Sequence, residues 1–114
     1  EMCIRDRPYY HRNSMSEFMG LIKGEYDAKK QGFEPAGASL HNCMTAHGPD
    51  ADTFHQASQQ KLKPEFYQNT LAFMLESSHV WQQTNFADQT VLKQKNYLNC
   101  WDKLPNKFIY PSKI

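Results

Sequence analysis

Apolar positions in this chain come in short runs, separated by stretches rich in glycine, proline and polar residues. Phe18-Met19-Gly20-Leu21-Ile22 follows Glu17 and stops at Lys23-Gly24, which reads as a buried strand. Ala38 to Thr45 is a second strand candidate, halted by Gly48-Pro49. Thr70-Leu71-Ala72-Phe73-Met74-Leu75-Glu76 is the clearest of the remaining runs. Between the first two, the polar segment Glu25 to Gly37 predicts a long loop with a helical turn at Asp27–Gln31. Asp50 has the chemistry of a helix N-cap, and Ala51, Phe54 and Ala57 give the following residues one apolar face. Lys61-Leu62-Lys63-Pro64 ends that helix. Val91, Leu92, Tyr97, Leu98 and Trp101 predict a terminal helix over Asp88–Trp101, ending before Pro105. Phe66, Tyr67, Tyr97 and Trp101 read as a packing cluster. Short strands joined by glycine and proline turns predict a mainly β fold of the jelly-roll or barrel class.

Composition narrows the function without naming it. The 114 residues suffice for one small domain, and 39% hydrophobic with 13% aromatic residues argue for a folded segment. A net charge of +1 with no basic run excludes the usual footprint of nucleic-acid or anionic-membrane binding. No apolar stretch approaches a membrane span, and no signal-peptide pattern opens the chain. Cys3, Cys43 and Cys100 are odd in number and lack zinc or thioredoxin spacing, which predicts reduced thiols and a cytoplasmic location.

The candidate chemistry lies in two stretches. Pro8-Tyr9-Tyr10-His11-Arg12-Asn13-Ser14-Met15-Ser16-Glu17-Phe18 offers a histidine and a carboxylate; Leu40-His41-Asn42-Cys43-Met44-Thr45-Ala46-His47-Gly48-Pro49-Asp50 offers two more histidines. Two neutral imidazoles and one carboxylate on a single face, with open positions opposite, form the ligand set of non-haem Fe(II) oxygenases. Spacing alone does not establish that set, since a His six residues before a Glu arises by accident roughly one time in four here. Wording does more. Tyr-Tyr-His-Arg-Asn-x-Met-Ser-Glu-Phe-Met-Gly-Leu-Ile and Gly-x-Ser-Leu-His-x-x-Met-Thr-x-His-Gly-Pro-Asp-Ala-Asp closely resemble the metal-binding region of the homogentisate 1,2-dioxygenase family. The resemblance runs from Pro8 to about Phe108.

That resemblance implies a partial cupin-type jelly-roll or β-sandwich with short flanking helices, carried on residues 8–114 and truncated at its N-terminal side. It matches His11, Glu17 and His47 to the family's three iron ligands, with Fe(II) as the cofactor. Taken singly, each is more often a satisfied polar residue of a loop or strand. His41 matches a histidine beside the family's substrate pocket that passes protons or hydrogen-bonds the substrate; an ordinary strand histidine is the alternative. Tyr26 matches a substrate-binding tyrosine, with a half-buried loop aromatic as the alternative. Arg12 could clamp a substrate carboxylate, although an exposed loop arginine is the commoner case, and His47 borders the substrate as well as the metal. His55 and His79 read as structural or exposed. Ser14, Ala46 and the thinned glycine run Ala36-Gly37-Ala38 depart from the family wording, as does Trp81-Gln82-Gln83-Thr84-Asn85; none touches a matched ligand.

If His11 and Glu17 hold one metal, their backbones lie within roughly 10 Å of each other. A fully extended run between them would span about 20 Å, and a helix would turn the two side chains apart. Arg12–Ser16 must therefore double back, for which Asn13, Ser14 and Ser16 are suited. Glu1–Arg7 has no counterpart in the family wording and resembles a translated sequencing adapter, so it is expected to lie outside the domain without a packed partner.

The implied activity is ring cleavage of homogentisate by O₂ to maleylacetoacetate, in tyrosine and phenylalanine breakdown. The implied partners are a small aromatic substrate and O₂, with no nucleic acid or membrane, in a trimer-based homo-hexamer of the full-length protein. The family's further acid–base histidine lies upstream of this stretch, so the fragment alone is expected to be inactive. The alternatives are a related dioxygenase for another hydroxylated aromatic, and a cupin-like storage module whose histidines bind no metal.

Overall fold

The computed structural model describes residues 2–4, 9–29 and 32–107. Its centre is a three-stranded antiparallel sheet in the order β3-β2-β5. Strand β2 (Ser16–Lys23) lies in the middle, flanked by β3 (Ala38–His41) and β5 (Leu71–Ser77). A separate two-stranded ribbon pairs β1 (Met2–Ile4) with β4 (Pro64–Phe66). The architecture is mainly β, as the pattern predicted.

Alternation along β2 sorts its residues onto two faces. Glu17 stands opposite His41 on β3 and Glu76 on β5, so these three share one face. Phe18 and Gly20 belong to the other, where Phe18 approaches Phe73 and Trp81 at ring distances of 6.1 and 6.3 Å. Gly20 faces Phe73 directly, and a Cβ there would run into that ring. Past Leu21 the β2–β5 register slips, and β2 ends at Gly24 with φ +77° against Asn69 and Thr70.

Little of the chain's apolar surface is buried. Leu21, Ala51 and Ala57, with Pro49, are the buried apolar side chains among the described residues, beside the polar Ser16, Glu17, His47 and Thr53. Strand β5 is a sheet edge that leaves Leu71, Phe73, Met74 and Leu75 exposed. Polar bonds hold the corner beneath the site. Ser16 Oγ donates to the His79 carbonyl at 2.7 Å, and Asn42 bonds both the Trp81 amide and the Trp81 carbonyl.

Helix α1 (Ala51–Gln59) starts where expected, with Asp50 Oδ1 accepting from the Thr53 amide at 2.7 Å and Ala51, Thr53 and Ala57 turned inward. Three other expectations fail. The second strand is shorter than Ala38–Thr45: it ends at His41, because Asn42 is drawn to Trp81 and Met44 takes φ +62°. The helix expected over Asp88–Trp101 is instead a short α2 (Asn85–Gln89), turns, and a 3-10 turn at Tyr97–Trp101. Its apolar residues never formed one face, and Val91 and Leu92 are almost wholly exposed. Met2–Ile4 also departs from expectation by pairing with Pro64–Phe66. That pairing is made by backbone groups, which do not depend on the side-chain wording.

Replacing Gly24 with alanine should lower stability by about 1–2 kcal/mol through the left-handed backbone alone. The new Cβ would also run into the Asn69 carbonyl. Denaturant unfolding of wild type and variant reads the difference, and equal midpoints would refute this account of the β2 terminus.

Candidate metal centre

Backbone pairing across the fold builds the site. His11 and His47, thirty-six positions apart, form an isolated antiparallel bridge with amide-to-carbonyl bonds of 3.0 and 3.1 Å in both directions. The bridge lays the loop before β2 against the strap after β3. The strap is clamped in turn at the Pro49 carbonyl, which accepts from the Tyr10 hydroxyl at 2.9 Å and from Trp101 Nε1 at 3.0 Å. Tyr10 lies close enough to Gly48 that a Cβ there would collide with its ring. Burial, with Asp50 nearby, pushes the Tyr10 hydroxyl up to about 12, so it stays a donor.

Asn13 makes the reversal between His11 and Glu17. Its side-chain carbonyl accepts from the Met15 amide at 3.0 Å, closing an Asx turn. Its amide nitrogen then donates to Glu17 Oε1 at 2.6 Å and reaches Glu76 Oε1 at 3.3 Å. Glu17, only 6% exposed, thus projects from the centre of the sheet with one oxygen held by Asn13 and the other 3.0 Å from His47 Nε2. Burial alone would raise its carboxyl, but the Asn13 amide and the His47 and His11 imidazoles outweigh that and hold it below the ordinary value.

His11, Glu17 and His47 each offer a ligand atom, and these lie within 4.8 Å of one another. Hydrogen bonds decide which nitrogens are offered. His47 Nδ1 lies 2.8 Å from the Thr45 carbonyl and His11 Nδ1 lies 3.1 Å from the Tyr9 carbonyl. A carbonyl only accepts, so each Nδ1 carries a proton and a neutral ring turns the lone pair of Nε2 inward. The lone pairs of His47 Nε2 and of an ionised Glu17 then face each other across 3.0 Å. Two such acceptors require a proton or a cation between them. The donor set, two imidazole nitrogens and one carboxylate, fits a divalent transition metal. Glu17 and His47 are buried and His11 is exposed, so the cluster opens on the His11 side.

His41 comes from β3 and stacks on His47, with ring centroids 4.4 Å apart and planes 2° from parallel, outside the three-ligand group. Burial most of all, with His47, His11 and Lys29 nearby, pushes its pKa down to about 4, so the ring is neutral near pH 7. Tyr26 packs on Phe33 at 5.7 Å, lies near Tyr97, and is not one of the three grouped ligand residues. Arg12 is exposed and makes no ion pair among the described residues. His55 and His79 are exposed, as read from the sequence. Sequence reasoning missed the role of Asn13, taken there as a turn residue only; its lone signal was its place midway between a histidine and a glutamate.

Asn13→Ala should weaken metal affinity about 10–100-fold, since Glu17 loses the donor that orients it. Titration against a competing chelator measures this, and unchanged affinity would leave Asn13 a turn residue alone. His41 gives a pH dependence. With its pKa lowered in the folded protein, the unfolded chain takes up a proton first as pH falls from the ordinary 6.5. The His41 contribution to stability of the metal-free protein should therefore decline between about pH 6.5 and about pH 4, the lowered Glu17 carboxyl continuing the loss at more acid pH, and His41→Gln should flatten the segment above pH 4.

The family model described as homogentisate 1,2-dioxygenase C-terminal matches residues 2–108, so the match begins ahead of Pro8. A protein of Rhizobium johnstonii named homogentisate 1,2-dioxygenase is 55% identical over 101 residues, 89% of this chain and 22% of the relative. One of the same name from Legionella pneumophila subsp. pneumophila is 54% identical over 89% of this chain and 24% of its own length. The chain therefore spans less than a quarter of the curated relatives it matches. A family match across nearly the whole chain and more than half of the aligned residues identical lead to one conclusion: the chain belongs to the homogentisate 1,2-dioxygenase C-terminal family.

Proposed function

We propose that this chain is the metal-binding part of an Fe(II) dioxygenase that opens the ring of homogentisate with O₂ to give maleylacetoacetate. The observation that carries the reading is the convergence of His11, Glu17 and His47, brought from separate pieces of chain to within 4.8 Å, in a member of this family. When bound there, Fe(II) supplies open coordination positions and a redox couple through which ring electrons reach O₂.

The chain's own residues do the rest. Glu17 contributes the one negative charge of the ligand set, held in place by Asn13. The Nδ1 bonds to Thr45 and Tyr9 hold the His47 and His11 rings in place and leave Nε2 as the nitrogen offered to a metal. His41, neutral and stacked beside His47, hydrogen-bonds the substrate and manages protons at the ring. Tyr26 provides a further hydroxyl for the substrate, while Arg12, exposed next to His11, pairs with its acetate carboxylate. His47 forms one wall of the substrate position. Cys43 and Cys100 are free thiols, in keeping with a cytoplasmic enzyme, and among the described residues no helix is long and apolar enough to cross a membrane. Exposed β5 residues support assembly with the rest of a longer chain and, at full length, a trimer-based homo-hexamer.

The test uses the full-length protein. Wild type should hold one iron per chain and consume O₂ with homogentisate in preference to other hydroxylated aromatics. Glu17→Gln should lose most of its iron and lower turnover by more than about a hundredfold, because a dication would then face neutral donors alone. Iron content and turnover near wild type in that variant would remove Glu17 from the ligand set. Wild-type protein without stoichiometric iron would favour the storage reading.

A further inference from the structure

The C-terminal 3-10 turn does more than pack. Its first residue, Tyr97, places its hydroxyl 3.1 Å from His41 Nε2, across fifty-six positions of chain. The phenol is held on both sides: Trp101 meets it edge-on at 5.6 Å, and the Lys29 ammonium sits 3.9 Å over the ring centre. His41 lies flat against His47, so Tyr97 stands one side chain removed from the candidate metal ligand.

The direction of the bond follows from the number of partners. Among the described residues, the Tyr97 hydroxyl has a single hydrogen-bonding partner, His41 Nε2. If Nε2–H donated to the phenol oxygen, the phenol proton would have no acceptor, at a cost for a half-buried hydroxyl. If the hydroxyl donates to a bare Nε2, the phenol proton and the Nε2 lone pair are both satisfied and only the ring's Nδ1–H is left for another acceptor, whereas the reverse direction leaves both the phenol proton and Nδ1 without partners. Burial, with Cys100 and Tyr26 nearby, pushes the Tyr97 hydroxyl up to about 12, so the proton it donates is present at any working pH. A neutral ring with a bare Nε2 carries its proton on Nδ1, and no group among the described residues accepts from that atom.

We infer that Tyr97 is a positioning residue that fixes His41 as the Nδ1–H tautomer and so makes it a hydrogen-bond donor to an oxygen of the bound substrate. The tautomer follows from the geometry alone; the donation to substrate rests on the proposed dioxygenase reading. The substrate atom this suits is an acceptor, a phenolate or carboxylate oxygen, and a group offering only donors would be disfavoured there.

Two measurements on the full-length protein test this. Tyr97→Phe removes the hydroxyl and keeps the ring packed against Trp101 and Lys29. The first measurement is nitrogen NMR of histidine-labelled, metal-free protein. Wild-type His41 should show a protonated Nδ1 and a bare Nε2, and the variant a mixture of tautomers. A wild-type ring protonated at Nε2, or a pattern identical in the two proteins, would overturn the assignment whatever the enzyme's substrate is. The second is anaerobic binding of homogentisate to the Fe(II) protein. Tyr97→Phe should weaken it about five- to tenfold with iron content and thermal midpoint unchanged, and in a His41→Gln background the same change should have no effect. A loss that persists without His41, or none in the wild-type background, would show that Tyr97 does not act through His41. Wild-type protein with no affinity for homogentisate would instead overturn the dioxygenase reading, leaving the tautomer to the first measurement.

Discussion

A carboxylate buried at the centre of a small sheet is the constraint around which this chain is built. Glu17 is 6% exposed, and a bare charge so placed would be costly. Its two oxygens are provided for separately, one by the Asn13 amide and the other by the inward face of His47. The second provision is incomplete without positive charge, since the bond from His47 Nδ1 to Thr45 leaves Nε2 as an acceptor. The fold thus presents two facing lone pairs with a third, from His11, alongside. Such an arrangement repels itself when empty of cations and has the donor chemistry of a divalent-cation site.

Rigidity at the site comes from bonds of long sequence separation. The His11–His47 bridge, the two donors on the Pro49 carbonyl and the Ser16–His79 bond tie loops to strands where apolar burial is sparse. Side-chain contacts extend outward in a chain: His47 to His41 by stacking, His41 to Tyr97 by a hydrogen bond, Tyr97 to Trp101 by an edge contact. Trp101 closes the circuit on the strap that carries His47. A disturbance in the C-terminal turn therefore has a physical route to the candidate metal centre, through two aromatic contacts, one side-chain hydrogen bond and one backbone carbonyl.

The contrast between a well-satisfied site and an exposed sheet edge belongs together. Polar groups at the site find partners within the segment, whereas Leu71, Met74 and Leu75 on β5 do not find apolar cover there. Coordination chemistry needs a few atoms placed within ångströms, which two loops and one strand can supply. Burying a sheet face needs area, which a segment covering under a quarter of its relatives' length does not have.

The residues themselves determined the short strands around Leu21 and Phe73, the helix opened by Asp50, and the pairing of histidines with a glutamate in stretches of recognisable wording, because these depend on neighbours in sequence: alternation, caps and turn chemistry. They did not determine where β3 stops, since Asn42 leaves the strand for a partner thirty-nine positions away at Trp81. Nor did they reveal the terminal segment as turns, because mixed apolar spacing permits a helix on propensity while tertiary contacts at Tyr97 and Trp101 select otherwise. Asn13 read as a turn residue, and Tyr97 as packing, until the sheet register placed Glu17 and His41 opposite each other. Their polar roles rest on partners distant in the chain or on a register that no local pattern encodes, so only the tertiary structure could decide them.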